Sequence, residues 1–431
     1  MSVFTFFFNV FPLQNSIVYA EGNANQYAAE EKPEITSDYA YLIDLDTGQV
    51  LYEKGSSDRI YPASMTKMMT TILAIENLPD TSMTVTVTEE MLAGLKEASA
   101  SRAGFDVGDE PTVLDLLYGD ILPSGADCSR ALSFTIAGSE EAYVDLMNAK
   151  AEELGMTGTH FVNTTGLHDD NHYSTLQDIA TLMKYCLQNE LFRTIISTET
   201  YTSVPVKSQP DGLLMNSVVL KYINHPENEY NWNIEGFIGG KSGFTLEGEY
   251  CLASIASFSG MNLMLITAHG WINRYYPVNV EDASILYGYM NEHYQRQTLY
   301  TADETVSEIP VRNSMDESLS VYADSDLVLD VPNDDNLHIE LNIPDTISSN
   351  TSKDENVGTA NVYSYDSLVG TVTLKAEKEV KITFLGTLKT VVKEHPTAVL
   401  SILGILLIVL IILYVQAKKA QRRRKRKKRR A

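Results

Sequence analysis

Ser64-Met65-Thr66-Lys67 sets a hydroxyl and an amine three residues apart at the start of an amphipathic run. Pro62 and Ala63 lead in, Met68, Met69, Ile72, Leu73 and Ile75 recur at helical spacing, and Pro79 closes the run. Residues three apart share a helix face, so the Lys67 amine reaches the Ser64 hydroxyl. A serine attacks a carbonyl at neutral pH only when a base takes its proton, and a neutral lysine can be that base. A tetrad of this kind arises about once or twice by chance in a chain this long. Its weight depends on what accompanies it.

Leu122-Pro123-Ser124-Gly125-Ala126-Asp127 ends one helix and starts another. Ser124 there can pass a proton between Lys67, the Ser64 oxygen and a leaving amine, although the same residues also read as an ordinary helix-breaking turn. Gly239-Gly240-Lys241-Ser242-Gly243-Phe244-Thr245 leads into a strand at 249–257. Glycines allow a backbone to approach a ligand closely. Lys241 with the hydroxyls of Ser242 and Thr245 can then hold a carboxylate; the plainer alternative is a solvated turn lysine.

Between and around these stretches the pattern is mixed helix and strand. Tyr39 to Leu45 and Val50 to Tyr52 flank Asp46-Thr47-Gly48-Gln49 as a β-hairpin. Met83 to Thr88 alternates as a strand, and Thr112 with Asp115 caps a helix running to Leu122. Helical segments fill 127–190, Cys251–Ser257 and Asn262–Ala268 read as strands around Gly260, and Val280–Tyr294 reads as a helix. The expectation is one α+β domain over 36–295. After it, residues 300–385 are rich in Val, Thr, Asp and Ser in short alternating runs, which predicts a small all-β, sandwich-like domain, with 386–396 as a joining segment.

Thr397 to Val415 is uncharged and mostly aliphatic; at ~1.5 Å per residue it spans roughly the hydrocarbon core of a bilayer. Residues 416–431 come next as a polybasic tail with 11 Lys or Arg and no acid, leaving the rest of the chain with 22 basic against 57 acidic side chains. An acidic body repels nucleic acid, and a basic run directly after an apolar span is a stop-transfer signal. The sequence therefore predicts a transmembrane helix at 397–415, a cytoplasmic C-terminus and an extracellular body. Residues 1–20, with an apolar Val3–Phe11 and Val18-Tyr19-Ala20, read as a signal peptide lacking a basic n-region, and 21–35 as a linker.

Cys128, Cys186 and Cys251 fit neither a disulfide framework nor a zinc site and read as buried small hydrophobes. His168 and His172 beside Asp169 and Asp170 read as structural, so no metal and no cofactor is expected. Trp232, between Asn231 and Asn233, either lines a glycan groove or anchors a loop.

Taken in order, the three hydroxyl- and amine-bearing stretches resemble the serine acyltransferases that bind penicillin. The connecting segments make the resemblance closer. Leu154-Gly155-Met156, Thr159-His160-Phe161-Val162-Asn163-Thr164-Thr165-Gly166-Leu167-His168-Asp169 and Ser174-Thr175-Leu176-Gln177-Asp178 look like the D-alanyl-D-alanine carboxypeptidases, the low-molecular-mass penicillin-binding proteins. The likeness covers about 36–295 with a β-lactamase/transpeptidase-like fold, an antiparallel sheet flanked by helices; 300–385 resembles the family's C-terminal domain. It implies that Ser64 attacks the carbonyl between the last two D-alanines of a peptidoglycan stem peptide, with Lys67 as base and Ser124 as proton relay. It implies further that Lys241, Ser242 and Thr245 bind the substrate, that the backbone N–H groups of Ser64 and Phe244 hold the oxyanion, and that β-lactams acylate the same serine. For Lys67 to be a base it must lose its proton near neutrality, which burial and the Lys241 charge would favour.

Two departures stand out. Ala126 occupies the position where the family usually has Asn, and Lys-Ser-Gly replaces the commoner Lys-Thr-Gly. Between Arg193 and Lys241 the only Lys or Arg residues are Lys207 and Lys221, so an arginine clamp from that stretch is missing. Ala126 motivates an alternative, a catalytically weak penicillin-binding sensor of peptidoglycan. A β-lactamase is less favoured, since no Glu-x-x-Leu-Asn segment lies between Ser124 and Lys241.

Overall fold

A computed structural model describes residues 33–271, 276–334, 336–365 and 367–428. The proposed signal peptide and most of the linker lie outside them. The chain divides into two compact units. The first takes residues to 297 with 328–338 and 363–369; the second takes 298–327, 339–362 and 370 onward.

In the first unit β1 (Tyr39–Asp44) and β2 (Val50–Lys54) form the expected hairpin. A 3₁₀ turn (Ala63–Thr66) leads into α1 (Lys67–Asn77), followed by α2 (Glu89–Leu92), α3 (Val113–Ile121), α4 (Ala126–Ala137), α5 (Glu140–Glu153), α6 (Leu176–Cys186) and α7 (Glu190–Ile196). The short pair β3 (Thr200–Thr202) and β4 (Leu214–Asn216) precedes β5 (Phe237–Thr245), β6 (Glu249–Phe258), β7 (Met261–Gly270) and α8 (Val278–His293). The main sheet has the order β2-β1-β7-β6-β5, each neighbour antiparallel.

Its two faces bury different cores. Ile43, Ala253, Ile255, Met264 and Ile266 pack with the helical layer, including Met68, Met69, Ile72, Leu116, Leu117, Leu132 and Met183. Leu42, Leu252, Leu263 and Leu265 pack against Val280, Ala283, Leu286 and Tyr287 of α8. A strand covered on both sides reads as a nearly continuous apolar run, as Cys251–Ala256 and Leu263–Ala268 do. Edge strand β5 and the 3₁₀ turn meet beside the helical layer, and this meeting builds the site.

The expected strand at 83–88 is not one. Thr84 makes an isolated bridge to Thr112, while the Val85 and Val87 N–H groups donate to the carbonyls of Pro111 and Asp109. The partner segment contains Pro111, which has no N–H to return, so alternation alone does not yield a ladder. The expected cap is present: Thr112 Oγ1 accepts from the Asp115 N–H, and Asp115 accepts from the Thr112 N–H.

The later elements are β8 (Tyr294–Tyr300), β9 (Thr305–Pro310), β10 (Ser318–Ala323), β11 (Leu327–Pro332), β12 (Leu337–Asn342), β13 (Asn356–Ser364) and β14 (Ser367–Ala376). A five-stranded sheet runs β12-β13-β14-β10-β9 over buried Leu319, Val321, Ala360, Val362 and Leu374. Most of the joining segment at 386–396 is helical, in α9 (Phe384–Glu394). Thr383 caps it by accepting the Gly386 N–H, and Gly386 lies so close to Ser314 that a Cβ there would sit 2.5 Å from its backbone. After His395, α10 runs Pro396–Lys428; it is the one helix among the described residues long and apolar enough to cross a membrane.

Candidate active site

Ser64 rides on the 3₁₀ turn in front of α1, one turn before Lys67. Ala63 has φ +46°, a conformation that a residue with a Cβ adopts at a cost of about 1–3 kcal/mol. The turn is held from outside by Gly166, whose φ is +77° and whose missing Cβ would fall 1.9 Å from the Ala63 carbonyl oxygen. Lys67 Nζ stands 3.0 Å from Ser64 Oγ and donates to the Thr165 carbonyl at 2.5 Å. That carbonyl is aimed by a side chain: Asn163 Oδ1 accepts the N–H groups of Thr165 (3.1 Å) and Gly166 (2.7 Å). Sequence patterning did not single out Thr165; the Asn163-to-Gly166 turn was its only local signal.

Ser124, with φ +62°, turns between α3 and α4. Lys241 Nζ donates to Ser124 Oγ at 2.8 Å and to the Ser242 carbonyl at 2.7 Å. The segment 239–245 is thus an edge strand, with Lys241 fully buried rather than solvated in a turn. Gly243 lets β5 lie against the serine: a Cβ there would be 2.8 Å from the Ser64 nitrogen. Two hydroxyl–amine pairs from four separate elements therefore share one place.

Burial holds the Lys67 amine down to about 8, opposed first by the negative charge of Asp120 and then by Asp127 and Glu140. Lys241 lies well below the usual lysine range, first by burial and then by the Lys67 charge, with Asp120 opposing. The expected depression of Lys67 is present, but its cause is desolvation. The Lys241 charge, expected to contribute, is not among the causes, because Lys241 itself is too deeply buried to stay readily charged.

The cavity measures about 780 Å³ and is lined by Ser64, Lys67, Ser124, Ser242, Phe244 and Thr245, with the 98–101 segment, Lys221 and Tyr222. Lys241 does not line it but bonds Ser124, which does. Thr245 Oγ1 accepts the Gly248 N–H at 2.8 Å, so its own O–H is left to donate. Where the family's asparagine is replaced, Ala126 donates its N–H to the Ser101 carbonyl at 2.8 Å. Next to it, buried Asp127 accepts the N–H groups of Ala103, Gly104 and Phe105. These bonds tie the 98–105 loop to the Ser124 turn as a wall of the cavity, a feature invisible in the sequence. Lys221 supplies a cation at the rim.

Other singled-out residues have local duties. His172 is buried and held down to about 4 by desolvation; its Nδ1 accepts the Val162 N–H at 3.2 Å, and Nε2 lies 2.7 Å from Thr66 Oγ1. His168 stacks edge-on against Tyr61 and faces Asp170. Trp232 packs with Tyr222, Tyr230 and Tyr276, and its backbone bridges Ile223, so it anchors a loop beside the cavity. Cys128, Cys186 and Cys251 are free and buried.

Comparison with known proteins agrees with this geometry. A family described as D-alanyl-D-alanine carboxypeptidase matches residues 26–270, and the C-terminal domain of penicillin-binding protein 5 matches residues 294–382. The chain is 29% identical to the D-alanyl-D-alanine carboxypeptidase DacF of Bacillus subtilis over 353 residues, covering 80% of this chain and 87% of the relative. It is 31% identical to the D-alanyl-D-alanine carboxypeptidase of Streptomyces sp. strain K15 over 249 residues, covering 56% of this chain and 83% of the relative. The structure of the carboxypeptidase DacD from Francisella tularensis shares the fold, with a TM-score of 0.68 at 22% identity, covering 82% of this chain and 95% of that one. With over half its length matched in one continuous stretch that contains both serines and both lysines, the chain belongs to the D-alanyl-D-alanine carboxypeptidase family of serine peptidases.

Proposed function

We propose that the protein removes the terminal D-alanine from peptidoglycan stem peptides through an acyl-enzyme on Ser64, and that β-lactams acylate the same oxygen. The observation that carries this reading is the approach of Lys67 Nζ to Ser64 Oγ at 3.0 Å, with Lys241 Nζ 2.8 Å from Ser124 Oγ behind the same cavity. Neutral Lys67 takes the Ser64 proton as Oγ bonds to the carbonyl carbon. The tetrahedral oxygen is held by the Ser64 and Phe244 N–H groups, a role supported by the closeness of β5 to the Ser64 nitrogen. The C–N bond then breaks, the proton passes from Lys67 through Ser124 to the departing amine, and water releases the shortened peptide. Ser242 and Thr245 receive the substrate carboxylate from the cavity wall, with Lys241 behind them at Ser124.

The C-terminal helix supports a membrane location for this chemistry. Among the described residues nothing packs over α10, and its basic end argues for a cytoplasmic C-terminus with the catalytic unit outside. On this reading 1–20 is a signal peptide, 21–35 a linker, 36–295 the catalytic domain, 300–385 the β-domain and 397–415 the span.

Incubation of the full chain in detergent with a peptide ending in D-Ala-D-Ala tests the proposal. Free D-alanine is expected from the wild type and none from Ser64→Ala. Stable penicillin labelling without any D-alanine release would replace this reading with the sensor suggested by Ala126.

A further inference from the structure

Asp120 is buried without exposed surface in the last turn of α3, and the hydrogen bonds to its carboxylate come from two hydroxyls. Thr71, one turn beyond Lys67 on α1, donates to Oδ2 at 2.7 Å. Ser129, one turn beyond Gly125 on α4, donates to Oδ1. Asp120 therefore links the helix that carries Lys67 to the helix after Ser124, within electrostatic reach of both amines. A carboxylate in such a place is costly unless a positive charge answers it.

The other groups facing the lysines are already committed. Asp127 accepts three backbone N–H groups. Glu140 accepts from Thr164 and pairs with Arg130 at 3.5 Å. Burial keeps the Cys128 thiol, the Tyr143 hydroxyl and the His172 ring neutral. The Asp120 carboxyl, raised to about 6 by burial and opposed by Lys67 and Lys241, remains mostly ionised at neutral pH.

We propose that Asp120 is a positioning residue acting through the two lysines: one buried negative charge allows one of the pair to keep its proton while the other remains a free base. One counter-charge balances one ammonium and not two, so a proton kept by either amine leaves the other free to act as a base. The inference rests on the function proposed above, and its readout separates the two.

The rate of acylation by a fluorescent penicillin is followed from pH 5 to 10 with the full chain in detergent. Asp120→Asn, which keeps the shape and an acceptor for Thr71, is expected to move the acidic limb about one pH unit lower. It should also raise the KM for a D-Ala-D-Ala peptide about tenfold with a smaller effect on kcat, because the lysine pair then holds less positive charge behind Ser124. Asp120→Ser is the second neutral variant and should shift the limb in the same direction. Thr71→Val removes the hydroxyl but leaves the charge, and its limb should stay at the wild-type position. A limb unmoved in both neutral variants, or moved equally by Thr71→Val, overturns the role of Asp120. Failure of the wild type itself to label would instead overturn the proposed function.

Discussion

The catalytic unit and the C-terminal end depart from the ordinary distribution of polarity in opposite directions. In the first unit two lysines and Asp120 are buried, while in the second Phe384 is 83% and Leu388 51% exposed, and α10 is bare along its length. Burying an amine costs free energy, and so does exposing a run of aliphatic side chains to water. On the proposed function the buried amines supply a base and support a proton relay at neutral pH. The bare hydrocarbon is at rest only in another apolar phase. α9 has the same character: Gly386 and Thr390 face Ser314 and Asn313 of the β-domain, while Phe384, Leu385, Leu388, Val391 and Val392 stand outward just before α10 begins. The contrast teaches that buried amines gathered at one cavity point to chemistry, whereas a bare aliphatic helix fits a membrane anchor.

The severest way to break the comparison is Ser64→Ala. It should lower D-alanine release at least about 10³-fold and abolish covalent penicillin labelling, with both units still folded by circular dichroism. Lys67→Met should be nearly as damaging to acylation, yet make the protein more stable by about 1–4 kcal/mol, measured as an increase in the thermal midpoint. The sign comes from proton linkage: the folded value for Lys67 is about 8 against an ordinary 10.5, so the unfolded chain binds the proton more tightly between those limits. The penalty on the wild type is therefore full below about pH 8 and fades as pH rises toward 10.5, and the stability gap should close in that window. A variant less stable than wild type at pH 7 would show that Lys67 is structural cement rather than a costly base.

Gly243→Ala sharpens the geometry without touching a charge. Its Cβ would press on the Ser64 nitrogen, so β5 must withdraw from the serine, and acylation should decrease about 10²-fold with little change in melting temperature. A milder effect is expected from pH alone. Acylation by wild type should rise as pH increases from 6 through about 8 and then flatten, because a base works only above its own pKa. The smallest effect belongs to the other region. A chain ending at His395 should leave the membrane fraction while its kcat stays within about twofold of wild type, measured on purified protein. A large loss of kcat would mean that the exposed hydrocarbon serves the chemistry as well as the address.

Much of this architecture was legible in local pattern. The caps at Thr112, the hairpin at 39–54, the β6–β7 pair and the helix after Pro277 arise from period, capping chemistry and turn residues within a dozen positions. The extended run 83–88 misled, because alternation predicts the conformation of a segment and says nothing about whether a partner can return its hydrogen bonds. The glycine-rich 239–245 resembled a loop for a related reason. Its glycines are spacers that admit the Ser64 turn and α7, and their need is visible only from the other side of the contact.

By itself the sequence showed two hydroxyls and two amines in the order that the family uses, three of them at helix starts and one in a glycine-rich stretch before a strand, and a long apolar run followed by a basic one. These are properties of neighbouring residues. Tertiary structure alone decided that the Thr165 carbonyl holds Lys67, that the Lys241 amine bonds Ser124, that Asp120 joins α1 to α4, and that desolvation rather than a second cation lowers the Lys67 pKa. Each of these depends on which distant atoms exclude water together, and no local spacing encodes that.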